Sequence, residues 1–219
     1  MQYRLEAICP VRARERAIEA MRKPMSKTKQ KIWLYMKLVP DASRLFFLHV
    51  QLRIHGVAYG KKLRGNPCII RNKGKIELGH NVFLNSYPDG VLYKTGLMAH
   101  LTSSLIKIGD NCSLNGTIVH SRNAVIIGNN CMFGPGVVIL DNDSHNPSID
   151  PERRRQGKIS ESPVIIGNNV WVGMRSIIMK GVHIGDNSII AAGSIVTKNV
   201  PNNQLFGGNP ATFIKILEE

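Results

Sequence analysis

Between Leu140 and Arg155 the chain reads Leu-Asp-Asn-Asp-Ser-His-Asn-Pro-Ser-Ile-Asp-Pro-Glu-Arg-Arg-Arg. Asp141 and Asp143 stand just ahead of a single imidazole, His145. Imidazole titrates near neutral pH, so it can take a proton from a reacting group and return it. A DxDxH cluster in a turn-rich stretch is therefore a candidate general base with carboxylates to hand. Asp143 is the better placed to orient or polarise the ring. Asp141 and Asp143 could equally cap the loop by accepting from its backbone. The triplet Arg153, Arg154 and Arg155 either meets a phosphate or is a solvated loop. A second cluster, Gly193-Ser-Ile-Val-Thr197-Lys198-Asn-Val-Pro201, is followed by Gly207-Gly-Asn-Pro-Ala211. It sets small residues beside a hydroxyl and a cation.

Something must position these residues, and the chain's periodicity says what. Ile166, Val172, Ile178, Ile184, Ile190 and Val196 follow one another six apart. The same phase appears at Ile127, Phe133 and Ile139, at Ile108 and Leu114, and at Leu78 and Leu84. The fourth place of these 13 hexads is Asn or Gly in 10 cases, among them Asn81, Asn111, Asn169, Gly136 and Gly193. Asn and Gly tolerate positive φ best. A strained corner every six residues, with one apolar side chain per hexad pointing inward, describes an all-β fold coiled as a solenoid. A sandwich would alternate with period two and a helix with period 3.6. The hexads lapse over 85–105 and 140–163, which read as loops, and the remainder makes about five coils.

This pattern, over about residues 66–215, resembles the hexapeptide-repeat acyltransferases. The His145 loop is similar to their sugar O-acetyltransferase branch, which includes galactoside, maltose and polysaccharide acetyltransferases. The resemblance implies a left-handed parallel β-helix, a homotrimer, acetyl-CoA as donor and no metal. It implies that His145 is the general base, with Asn115, His120 and Asp141 near the acceptor. For the donor it implies backbone contacts at Ala192 and Gly193, and Thr197 and Lys198 facing the adenosine and its phosphates. Lys215 is the basic residue near the C-terminus. The resemblance also sets Trp171, Gly173 and Met174 beside the pantetheine channel. Asn115 is equally readable as a turn residue, His120 as an edge histidine and Trp171 as a half-exposed coil residue. Thr212 and Met174 depart from the basic residue and the serine that some relatives carry there.

The implied activity is acetyl transfer to a hydroxyl of a sugar or polysaccharide precursor. The alternative is N-acetylation of an amino-sugar nucleotide or an antibiotic. A carbonic anhydrase on the same prism needs two zinc histidines five residues apart. Histidines at 49, 55, 80, 100, 120, 145 and 183 offer no such pair. A non-enzymatic scaffold would have no reason to keep both the histidine loop and the Thr-Lys segment.

The net charge of +14 is lopsided: residues 1–75 hold 18 of the 29 Lys and Arg but only 4 of the 15 Asp and Glu. Such a patch favours an anionic partner. With no nucleic-acid-reading motif beside it, the expected contact of residues 1–60 is an anionic membrane or substrate, not nucleic acid. The chain divides into a basic helical segment (1–65), the coiled domain (66–201), and a C-terminal loop with a short amphipathic capping helix (202–219). No apolar run spans a bilayer and four cysteines make no CxxC pair, so the expected setting is cytoplasmic, peripheral to the inner face of the membrane.

Overall fold

The computed structural model describes residues 41–86 and 93–218. The helices expected over 11–39 lie outside the described residues. Three parallel walls form the body. Wall A stacks β1 (Ala58–Tyr59), β4 (Lys75–Leu78), β7 (Leu105–Ile108), β10 (Ala124–Ile127), β13 (Val164–Ile166) and β16 (His183–Ile184). Wall B stacks β2 (Arg64–Gly65), β5 (Phe83–Asn85), β8 (Ser113–Asn115), β11 (Met132–Phe133), β14 (Trp171–Val172) and β17 (Ile189–Ile190). Wall C stacks β3 (Ile69–Asn72), β6 (Gly96–Ala99), β9 (Ile118–Ser121), β12 (Val138–Leu140), β15 (Ile177–Ile178) and β18 (Ile195–Val196). One strand from each wall makes a coil, so the described residues form six coils. The first, from Ala58 to Asn72, lacks the regular hexads and begins before the expected start at 66.

The leading residues of all 13 hexads are buried and fill the axis. Each such side chain contributes roughly 1.5–3 kcal/mol on burial. The corner between walls A and B explains the asparagines. Asn81, Asn111, Asn130, Asn169 and Asn187 all adopt φ between 55° and 59°. Their amides stack into ladders: Asn81 donates to Asn111, Asn111 to Asn130, Asn169 to Asn187, and Asn187 to Asn203. Only a short side chain with both donor and acceptor can repeat that bond coil after coil. The register pairs Ser113 with Met132, which stacks Cys112 on Cys131. Their thiols are free and donate instead to Gly128 O and Gly167 O, each at 3.1 Å.

The interval 85–105 is only partly loop. Gly96–Ala99 is the wall C strand of the second coil, with Leu97 and Ala99 fully buried. Its apolar run was hidden because the inserted residues break the phase on both sides.

The ends are closed differently. Helix α1 (Asp41–Ile54) lays Leu48 and Leu52 on the first coil, and Gln51 exchanges two bonds with the backbone of Cys68. At the other end the expected capping helix is absent. Gln204–Gly208 (β19) and Ala211–Ile216 (β20) form an antiparallel hairpin that extends wall B. The Thr-Phe-Ile-Lys-Ile run favours a strand. Pairing also gives the last edge a ladder partner, which a helix would not.

Candidate active site

The excursion leaves wall C after β12, at the edge shared with wall A. Its root is Asp141, which is fully buried. Its carboxylate accepts from Ser121 Oγ (2.7 Å), Arg122 N (2.8 Å), Asn123 N (2.8 Å) and Asn142 Nδ2 (2.9 Å). Three of the four donors belong to the coil below and the carboxylate is sealed from solvent, so Asp141 does not face an acceptor as expected. It is an anchor for the chain's departure. Asn142, also buried, accepts from Ser144 N at 2.9 Å and supports the left-handed turn at Ser144 (φ 62°).

An antiparallel bridge between Asn142 and Glu161 closes the loop's base through two backbone bonds, Asp143 N donating to Ser160 O and Ser162 N to Asp141 O. Lys180, at the same edge one coil further on, adds a cation to that base. Its Nζ reaches Asp143 Oδ2 at 2.6 Å and Ser160 Oγ at 2.9 Å. Asp143 was expected to steer the imidazole of His145. Its carboxylate is paired with Lys180 instead, and its link to His145 is through the backbone, His145 N to Asp143 O at 2.7 Å. The His145 side chain is exposed, with no hydrogen-bond partner for its ring among the described residues.

Beyond His145 the loop folds on itself. Asn146 Nδ2 donates to Lys158 O, and Asp150 caps the short helix α2 (Pro151–Gln156). Of the arginine triplet, Arg154 holds Ser148 O and Arg155 pairs with Glu152, all on an exposed surface. His120 lies under the loop's root on wall C, opposite Leu140 in register. It packs edge-on against His100, ring centroids 5.6 Å apart. Burial, and then the neighbouring His100, push its pKa below the ordinary histidine value.

A different edge, between walls B and C, carries a second group. Asn66, Asn85 and Asn115 form an amide ladder there, each donating to the next, and Asn115 Nδ2 at its end has no partner among the described residues. Above it run Gly134-Pro-Gly136, Gly173-Met174-Arg175 and Ala191-Ala192-Gly193, one triplet per coil. A Cβ on Gly173 would lie 2.5 Å from Ala192 N, so glycine is needed there for its corner to stack under the next. Trp171, Met174, Ala192 and Gly193 are exposed. Thr197 and Lys198, also exposed, belong to the C–A edge of the sixth coil, on the loop's side of the prism. Lys215 stands on β20 opposite Leu205, not on a helix.

One chain therefore divides the expected residues between two edges. His145, Asp143, His120, Thr197 and Lys198 line the edge between C and A. Asn115, Trp171, Gly173, Met174, Ala192 and Gly193 line wall B and its edge with C. The surface hollow of about 410 Å³ between Asn169, Asn187, Asn203, Leu217 and Glu218 contains none of them. Lys180, Tyr93 and Arg175 were missed. Lys180 lies in a regular hexad with no motif around it. Arg175 did have a signal, since it fills a fourth hexad place where Asn or Gly is the rule.

A family model described as the hexapeptide repeat of succinyl-transferase matches residues 163–198. The galactoside O-acetyltransferase of Escherichia coli K12 is 42% identical over 118 residues, covering 53% of this chain and 56% of that protein. Its counterpart in Lactococcus lactis is 34% identical over 140 residues, 61% of this chain and 59% of that one. Over these stretches the chain carries the hexapeptide repeat and is similar to the hexapeptide-repeat acyltransferases. The matched stretch spans a little more than half the length of those galactoside enzymes. Two solved structures share the fold, a left-handed β-helix. The hexapeptide-repeat acetyltransferase VCA0836 of Vibrio cholerae superposes with a TM-score of 0.54 at 24% identity, over 83% of each chain. The N-acyltransferase AntD of Bacillus cereus gives 0.63 at 17% identity, over 78% of this chain and 90% of that one.

Proposed function

We propose that this protein is an acetyl-CoA-dependent O-acetyltransferase acting on a sugar or polysaccharide precursor, with His145 as general base. The observation that carries the proposal is the His145 loop itself. It is rooted by a buried carboxylate, locked at its base, and presents to solvent an imidazole with no partner among the described residues. In the reaction, His145 takes the proton of the acceptor hydroxyl while that oxygen attacks the thioester carbonyl. The tetrahedral adduct collapses, the carbon–sulfur bond breaks, and the imidazolium returns its proton to the leaving thiolate. Both substrates are bound together, and the balance needs no other reactant.

The working form is a homotrimer. The division of site residues between two prism edges supports this, because packing the C–A edge of one chain against wall B of the next would assemble both sets in one cleft. Residues 1–60 supply a peripheral contact with anionic membrane on the cytoplasmic side. In support, α1 exposes Phe46, Phe47 and Val50 between Arg44 and Arg53, and Ile54 just beyond Arg53.

The test is transfer of labelled acetyl from acetyl-CoA to a panel of sugars, nucleotide sugars and lipid-linked glycans, alongside light scattering. A trimeric wild type acetylates a hydroxyl, and trimeric His145→Ala loses roughly 10²–10⁴-fold in rate. Activity within about threefold of wild type in His145→Ala refutes the base assignment, and a fully active monomer refutes the shared cleft.

A further inference from the structure

The edge between walls B and C carries an arrangement that the transfer chemistry does not require. Four residues stack there in left-handed conformation, one per coil: Gly116 (φ 64°), Gly136 (73°), Arg175 (56°) and Gly193 (73°). Three are glycine, for which positive φ costs nothing sterically. Arginine in that place is strained, and a glycine would relieve it.

The side chain at that cost is held in a specific pose. Arg175 Nε donates to Tyr93 Oη at 2.7 Å, and the guanidinium carbon lies 5.8 Å from the ring centroid. Tyr93 in turn lies in a bed made by the two glycines below. A Cβ on Gly136 would sit 2.8 Å from Tyr93 Cε1, and one on Gly116 would collide with Tyr93 Cβ. Tyr93 thus crosses the third and fourth coils and meets Arg175 on the fifth. Tyr93 fixes one side of the guanidinium and leaves both Nη groups without partners among the described residues. Arg175 is in no described ion pair.

The position is equally specific. Gly193 N donates to Met174 O, so Arg175 is one rung, about 4.8 Å, below the Ala192–Gly193 corner. Asn115 adjoins Gly116 at the foot of the same stack, two coils below Arg175. An oriented pair of Nη donors matches the two oxygens of a carboxylate or a phosphate.

We propose that Tyr93 and Arg175 form an acceptor subsite selective for anionic sugars, bearing a carboxylate or a phosphate. This rests on the proposed transfer to a sugar, in which the Ala192–Gly193 corner holds the donor. Tyr93 acts as the positioning residue and Arg175 as the contact.

The test is calorimetry on the full-length protein, with and without saturating CoA, using glucose, glucuronate and glucose 1-phosphate as probes. Charge-assisted bonds predict that one or both anions bind roughly tenfold more tightly than glucose. The two anions tell carboxylate from phosphate recognition. Arg175→Gly suits the backbone, so it preserves the fold. It brings all three sugars to within about twofold of one another and leaves CoA affinity unchanged, while Arg175→Lys keeps part of the preference. Tyr93→Phe keeps the ring in its bed but frees the fork, and lowers the preference severalfold. Equal binding of the three sugars by wild type, including none detectable, overturns the proposal. So does a preference that survives Arg175→Gly, or a loss of CoA affinity in that variant, which would assign the arginine to the donor. Failure of wild type to bind CoA sinks the transferase reading instead, with the sugar comparison still readable.

Discussion

Lys180 Nζ lies 2.6 Å from Asp143 Oδ2 and 2.9 Å from Ser160 Oγ, so one cation on the fifth coil joins the outgoing and returning limbs of the His145 loop. The pair is partly exposed, with side-chain accessibilities of 28% and 24%. Such a pair contributes only about 0–1 kcal/mol to stability. Its effect on geometry is larger, because a misplaced reacting group can cost up to about 10²-fold in rate. Lys180→Met should therefore lower kcat about tenfold while Tm and acceptor KM hardly move, and Lys180→Arg should restore most of it. A fall in Tm large enough to account for lost activity would reduce Lys180 to a structural tie.

Asp141 should behave in the opposite way. Removing its carboxylate orphans the buried donors of Arg122, Asn123 and Ser121, each costing about 1–3 kcal/mol. Asp141→Ala is expected to lose about 3 kcal/mol or more in urea unfolding. Unchanged stability with a raised acceptor KM would restore Asp141 to the acceptor site.

The His120 imidazole is held below its ordinary pKa of 6.5, first by burial and then by His100. The folded protein binds that proton less readily than the unfolded chain. Stability from the neutral ring is thus complete above about pH 6.5 and is lost as pH falls through the folded value. Thermal melts of wild type between pH 7 and pH 5 should drop further than those of His120→Gln. Parallel curves for the two proteins would show that His120 carries no such linkage.

Helix α1 has apolar residues on both faces, with Phe46 63% and Ile54 76% exposed. If that outer face meets lipid, vesicles containing phosphatidylglycerol should sediment the full-length protein, and neutral vesicles should do so far less. Phe46→Ser with Phe47→Ser should weaken that binding at least tenfold, since each buried aromatic is worth roughly 1.5–3 kcal/mol. Undiminished sedimentation of the double variant, or insensitivity to salt, would rule the helix out as the contact.

The coiled walls, the buried hexad leaders and the left-handed asparagine corners were all legible from spacing, because a six-residue repeat allows one solution for where each side chain points. Ile178 and Asn169 have no other role to choose from. The histidine loop was legible for the converse reason: Asp141 to Pro163 is where the repeat stops. What the spacing could not say is which partner each polar group takes. Asp141 and Asp143 sit two residues apart in the same motif. One is sealed into the coil below, and the other is held by a lysine 37 residues away in sequence. The C-terminal run had two local solutions, helix or strand, and the open edge of wall B selected the strand. Tyr93 and Arg175, 82 residues apart, meet only because the solenoid stacks their coils. Residues i and i+6 follow from the period of the chain. Contacts between coils depend on how many residues each insertion adds, and that is decided only when the walls pack.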